Sequence, residues 1–158
     1  MFGNEQKKFE ACYEKYADML YRIALSYLKN ADDAEDAVHD TFVKYIRHLF
    51  RFNDESHERA WLVRVTVNRC KDLLKSHVHS PLEDAMDIPC PETDTSVLSV
   101  LATLEDSYRI AITLHYLEGF SVEETADILK LSVSAVKMRL MRGRQMLKNK
   151  IEKENSDV

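Results

Sequence analysis

Trp61, Arg64, Asn68, Lys71 and Lys75 recur at spacings of 3, 4, 3 and 4, so a helix would carry them on one face. Together they suit a nucleic-acid strand. Cations meet phosphate, the Asn amide meets a base edge, and the indole offers a stacking surface. A second group has the same character: Lys137, Met141, Arg144 and Lys148 lie 4, 3 and 4 apart, with Arg139 and Arg142 beside them. Both groups sit where the charge runs against the rest of the chain. Residues 59–79 and residues 121–150 each carry net +4, within 158 residues whose total is −5. A local reversal of sign on an acidic background is the electrostatic footprint of a phosphate-binding face. Trp61 has a second reading, in which the ring plugs the core and the cations face water; the residues leave both open.

The elements that must position these groups follow from apolar spacing. Gly119 ends one helix, and Ser121 with Glu124 forms a capping box for the next. Val122, Thr125, Ala126 and Leu129 give that short helix its apolar face. Lys130 and Leu131 make a tight turn, and Ser132 caps a helix whose inner side is Val133, Val136, Leu140, Leu147 and Ile151. Two short helices, a tight turn and a basic outer face on the second describe a helix-turn-helix whose second helix enters a major groove. The plainer alternative is a helical hairpin with a solvated basic face.

The first group needs a helix from about Glu58 to Ser76, with Leu62, Val63, Val65, Val67, Arg69, Cys70, Leu73 and Leu74 on its remaining surface. Before it, Phe9, Tyr13, Tyr16, Leu20, Ile23 and Tyr27 predict a long amphipathic helix over 5–28, ended by Asn30. Asp32 or Asp33 is expected to cap a second helix with a buried stripe of Val38, Phe42, Tyr45 and Leu49, and residues 50–56 form a polar loop. From 76 to 96 there are three prolines, five acids and no Lys or Arg, the composition of an extended acidic linker. Val97, Leu98, Leu101 and Leu104 predict a helix; Tyr108, Ile110, Leu114 and Leu117 predict another leading into Gly119; and the tail past Ile151 is short and polar. The expected fold is all-α: two small helical domains, 1–76 and 97–153, joined by a linker over 77–96, the second containing the helix-turn-helix.

Composition narrows the function classes. Three glycines and three prolines in the whole length argue against a sheet-rich fold. No run of about 18 apolar residues exists to span a membrane. The charged, amphipathic start MFGNEQKKFEACYEKY is unlike a secretion signal, so a cytoplasmic protein is expected. Cys12, Cys70 and Cys90 form no CxxC pair, which suits small core hydrophobes in a reducing compartment. His77, His79 and Cys90 fit no common zinc spacing. With no catalytic triad order, phosphate loop or metal motif, neither an enzyme nor a cofactor is expected. His115, inside an apolar helix, is expected to be a satisfied interface histidine.

Two blocks of sequence, AEDAVHDTFVKYIRHLFRF with RAWLVRVTVNRCKDLLKS, resemble the second conserved region of extracytoplasmic-function (ECF) sigma factors of bacterial RNA polymerase. LEDSYRIAITLHYLEGFSVEETADILKLSVSAVKMRLMRGRQMLK resembles their fourth region. The resemblance implies that the second helix binds core RNA polymerase through Asp36, His39, Asp40, Phe42, Lys44 and Arg47. It implies that the third helix recognises and melts the minus-ten element through Trp61, Arg64, Asn68, Lys71 and Lys75, with the loop from Asn53 to His57 accepting a flipped base. Ser134, Ala135, Lys137, Met138, Arg139 and Arg142 would read the minus-thirty-five element of promoter DNA, and the acidic linker would occupy the RNA exit path. The chain departs from the family pattern in places. Glu105-Asp106 stand where many relatives have Pro, Ser134-Ala135 where small or glycine residues are common, and Met138 and Met141 where polar residues are usual. The short C-terminal tail leaves control to a separate anti-sigma factor.

Two other classes compete with this reading. A stand-alone regulator would explain the C-terminal half without the Trp-Arg-Asn-Lys-Lys face, and would bind duplex DNA without polymerase. An adaptor with no nucleic-acid role would show no salt-dependent DNA binding in any complex.

Overall fold

A computed structural model of the chain describes residues 2–76 and 95–156. The expected acidic linker, and with it His77, His79 and Cys90, lies outside the described residues. The chain divides into two compact units, Met1–Ile88 and Pro89–Val158. The described elements are α1 (Phe2–Leu28), α2 (Ala31–Ile46), α3 (Glu55–Ser76), α4 (Thr95–Ala102), α5 (Asp106–Ile112), a π-helical turn (Thr113–Leu117), α6 (Val122–Leu129) and α7 (Val133–Ser156). No strand occurs among the described residues.

In the first unit, α1, α2 and α3 pack on one another around the periodic apolar positions. Tyr16, Leu20, Ile23 and Tyr27 of α1 are buried as their spacing requires, as are Val38, Phe42, Tyr45 and Leu49. Phe9 is half-buried, and Tyr13 is 49% exposed. Tyr13 lies at the rim of a groove between α1 and α2 instead of beneath it. Lys29 takes a left-handed conformation (φ 54°) that turns the chain out of α1. The cap of α2 is Asn30, not Asp32 or Asp33. Its side chain accepts from the Asp33 backbone N–H at 3.0 Å, which leaves both aspartates in the first turn to favour the helix dipole.

Two polar threads run through this apolar core. Thr41 and Thr66, fully buried, share a hydrogen bond at 2.9 Å between α2 and α3. The Tyr45 hydroxyl donates to Glu58 at 3.0 Å. Such pairing specifies the register of helices that hydrophobic contacts alone would allow to slide. Cys12 and Cys70 are buried thiols, and desolvation pushes them up to about 11 and about 12. They fill space and are poor nucleophiles at neutral pH.

The second unit centres on Leu101, Leu104, Ala111, Ile112, Ala126, Val136 and Leu140. The capping box is formed in both directions: Ser121 accepts from the Glu124 N–H and Glu124 accepts from the Ser121 N–H, each at 3.0 Å. Lys130, at φ 57°, makes the left-handed turn, and Ser132 caps α7 by accepting from the Ala135 N–H at 3.1 Å. Helical spacing alone did not foretell how α5 ends. The helix widens into the π turn, and the Phe120 N–H bonds back to the Leu114 carbonyl at 3.0 Å, across Gly119 at φ 77°. Leu117, expected inside, is exposed as a result. The polar tail past Ile151 continues α7 helically to Ser156.

Candidate nucleic-acid and polymerase surfaces

On α3, burial falls on Leu62, Val63, Thr66, Val67 and Cys70. That leaves Arg64, Asn68 and Lys75 exposed and Lys71 half-buried on one side of the helix. Arg69 is drawn across to α2, where its Nε donates to Asp40 at 2.6 Å. Leu74, expected to be covered, is exposed.

Trp61 resolves neither wholly inward nor wholly outward. Its half-buried indole packs against Tyr45, His48 and Phe52, with ring centroids 6.4, 5.3 and 5.4 Å away. Phe52 also stacks on Tyr45 at 5.8 Å and meets the His57 ring edge-on at 5.4 Å. The cluster fixes the indole without sealing it, the condition for a rigid stacking platform. The loop expected to run through Ser56 is shorter, because α3 begins at Glu55, and the entry into the helix is tied by its own polar atoms. Asp54 accepts from the His57 N–H at 2.7 Å, and the Asn53 N–H donates to the His57 ring at 3.2 Å. Asn53 to His57 all remain exposed, beside that cluster.

The residues expected to meet polymerase lie along α2. Asp36, His39, Lys44 and Arg47 are exposed, and Asp40 is half-buried in its pair with Arg69. Phe42 is not a surface residue: at 3% exposed it packs against Phe9, Tyr13 and Tyr45, so it supports the helix from beneath. Asp36, His39, Val43 and Ile46 border a groove of about 770 Å³ between α1 and α2, with Tyr13 and Tyr21 opposite. Val43 and Ile46 are exposed apolar side chains along it.

On α7, Ser134, Lys137, Met138 and Arg142 are exposed, and Ala135 and Arg139 are half-buried. The inner side is Val136 and Leu140, and between Leu140 and Leu147 it is Gly143. A Cβ on Gly143 would lie 2.6 Å from Ile112 Cδ1 and 3.3 Å from Tyr108 Cβ, so glycine lets α5 pack here without displacing the end of the Ile112 side chain. The seven-residue gap between Leu140 and Leu147 was the available signal for that contact. Arg144 extends over the Tyr116 ring at 5.9 Å, placing part of the basic face beside the π turn. His115 is satisfied through the Phe120 carbonyl at 2.7 Å.

Two further anchors went unrecognised in the sequence. Arg109, 3% exposed, donates to the Leu104 carbonyl at 2.8 Å and to Asp106 at 2.7 Å, bracing the turn between α4 and α5. Lys150 donates to the Thr103 carbonyl at 3.2 Å and hydroxyl at 2.9 Å, closing the end of α4 from α7. Among the described residues no group of His, Cys, Asp or Glu could hold a metal ion, and no helix is long and apolar enough to cross a membrane.

This all-α pair of units, with one cationic face beside an aromatic loop and another on a helix-turn-helix, has known counterparts. Residues 12–79 match Sigma-70 region 2, and residues 95–147 match Sigma-70 region 4, together well over half of the chain. The ECF RNA polymerase sigma-E factor of Haemophilus influenzae is 29% identical over 170 residues, covering 94% of this chain and 89% of that protein. Among solved structures, CnrH in complex with the cytosolic domain of CnrY is 29% identical, with a TM-score of 0.67 over 93% of this chain and 89% of that one. The sigma factor RpoE of Bartonella quintana, solved with the anti-sigma factor NepR, has the same fold at a TM-score of 0.78 and 24% identity, covering 93% of this chain and 98% of that one. The chain belongs to the ECF sigma factor family of bacterial RNA polymerase.

Proposed function

We propose that the chain divides promoter recognition between its two units: residues 1–76 dock on core RNA polymerase and capture the opened minus-ten strand, and residues 97–153 read the minus-thirty-five duplex. One observation carries this reading. Among the described residues two cationic helix faces occur: the one on α3 adjoins a cluster of rings, Trp61, His48, Phe52 and His57, whereas the one on α7 meets the single ring of Tyr116. An unpaired strand offers π-faces for stacking, whereas a duplex hides them and offers groove edges. The Arg64, Asn68, Lys71 and Lys75 face beside Trp61 suits the first, and the Lys137, Met138, Arg139 and Arg142 face of α7 suits the second.

Magnitudes fit that division. Opening duplex costs about 1.4 kcal/mol per base-pair step. Stacking a captured base on an aromatic or cationic face returns about 1–3 kcal/mol. One or two captured bases therefore nucleate a bubble, and contacts from polymerase extend it. A protein of net charge −5 binds phosphate weakly by itself, so function requires the polymerase complex. Asp36, His39, Lys44 and Arg47, along the rim and flank of the α1–α2 groove, supply the docking face. This places the working protein in the cytoplasm, with polymerase and chromosome.

For control we propose a separate anti-sigma protein. The RpoE structure of this fold holds such a factor, and covering either cationic face would suffice to silence the chain. The deciding experiment is run-off transcription from genomic fragments with core polymerase and the purified protein. Selective start sites that vanish without the protein support the reading. Tight duplex binding without polymerase, with no start-site selection, would replace it by a stand-alone regulator.

A further inference from the structure

We propose that the strand-binding surface of the first unit continues past Trp61 onto a second patch, built by Lys8, Phe50 and Arg51, which holds unpaired promoter DNA adjoining the minus-ten segment. The proposal rests on the strand-capture role given above and extends it to residues that neither spacing nor family likeness assigned. Phe50 is 61% exposed, in the turn that follows α2. An isolated exposed Phe is unremarkable, but this one is held: Lys8, from α1, places its ammonium 4.6 Å from the ring centroid. Arg47, His48 and Arg51 surround it around a hollow of about 310 Å³, with Glu5 as the one carboxylate on the wall. Among the described residues Arg51 is in no ion pair, so its charge is available to phosphate, while Arg47 beside it belongs to the proposed polymerase-docking face.

Continuity with the Trp61 platform is what selects the ligand. His48 lines the hollow on one side and packs on Trp61 at 5.3 Å on the other. Phe52, next after Arg51, meets Trp61 at 5.4 Å. Aromatic rings and cations thus alternate from α3 to the start of α1, a pattern that fits successive bases and phosphates of a single strand. A duplex would leave the Phe50 ring without a partner face. A docking surface for protein would accept any apolar side chain at position 50, and that difference is testable.

The experiment uses holoenzyme reconstituted with core polymerase, and fork templates that differ only in unpaired strand. One template ends at the minus-ten element; two others extend the strand by a few nucleotides, one at each end. Phe50→Leu should bind one extended template about five- to tenfold more weakly and the short template normally, because stacking on that ring is lost. Phe50→Trp should bind all templates like the parent, and Lys8→Ala should show a smaller loss with the same length dependence. Because Phe50 is largely exposed, these variants retain the fold. Equal binding by Phe50→Leu on every template overturns the proposal. So does an equal loss on short and long templates, or weakened assembly with core, which would make the patch a polymerase contact. Asn68→Ala separates the two levels of the argument. If it weakens binding to all templates while Phe50→Leu shows no length dependence, strand capture stands and only its extension fails. If Asn68→Ala has no effect on any template, the strand-capture role itself fails.

Discussion

The two cationic helices lie in segments of equal net charge, +4, yet they are mounted differently. On α3 the working face sits over a cluster of rings, and one of the helix's own cations, Arg69, is committed to Asp40 on α2. On α7 the support is closeness of backbone: Gly143 admits Ile112, and Lys150 ties the far end to α4. The first arrangement offers π-surface along with charge, and the second presents one rigid rod with side chains on its outer side. An unpaired strand is flexible and needs surfaces to stack on, whereas duplex DNA brings its own order and needs a probe held at a fixed depth. In the proposed division of labour, equal charge serves two different tasks through two kinds of scaffold.

The largest effect should come from removing the close approach. Gly143→Val places a branched side chain against Ile112 and should destabilise the second unit by about 2–3 kcal/mol. Urea unfolding of the full chain would then show the loss in the second unit, with α1 to α3 unfolding as before; an unchanged profile would mean that α5 yields without cost. Arg139→Ala should remove about 1–3 kcal/mol of discrimination at the minus-thirty-five element, read by holoenzyme competition between promoter variants. Lys137→Ala, by contrast, should weaken all sequences alike and lower the salt slope by about one if it meets only phosphate. Asn68→Ala with Lys71→Ala should reduce transcription more on a closed promoter than on a pre-melted one. Equal loss on both templates would place these side chains on duplex and erase the distinction between the two helices. Least of all, Asp40→Ala should cost about 0.5 kcal/mol, since its pair with Arg69 is partly exposed and screened; thermal melting at two salt concentrations checks it.

Much of this was legible before any coordinates. Apolar spacing located α1, α2, α3, α6 and α7, because each buries one stripe and wets the other. Caps marked ends wherever a side chain bonds its own backbone, as at Ser121 and Ser132. At Asn30 the same signal was present but was assigned to the neighbouring aspartates, since all three residue types cap well. The remaining features depend on partners distant in sequence. Nothing near Arg69 announces Asp40, nothing near Lys150 announces Thr103, and a glycine at a helix contact looks like a weakness until the facing Ile112 is seen. Phe42 and Tyr13 show the same limit from the other side. They share a tilted ring contact at 5.0 Å, but one lies beneath the groove and the other on its rim. Periodicity gives a stripe, and the depth of each residue within it is decided by the neighbouring helix.

The π turn after α5 has a consequence for how this chain's second unit tolerates change. A wide coil of this kind holds one residue more than an ordinary helical turn, and that surplus is what exposes Tyr116 and Leu117 while Leu114 stays inside. Deleting a single codon between Thr113 and Leu117 would remove that surplus and let the turn close as ordinary helix, with the direction of everything beyond nearly kept. A deletion in the regular helix of α5 has no such slack: it would turn the segment beyond by about 100°, leaving the face of α7 proposed to read DNA unchanged in its side chains but pointed elsewhere.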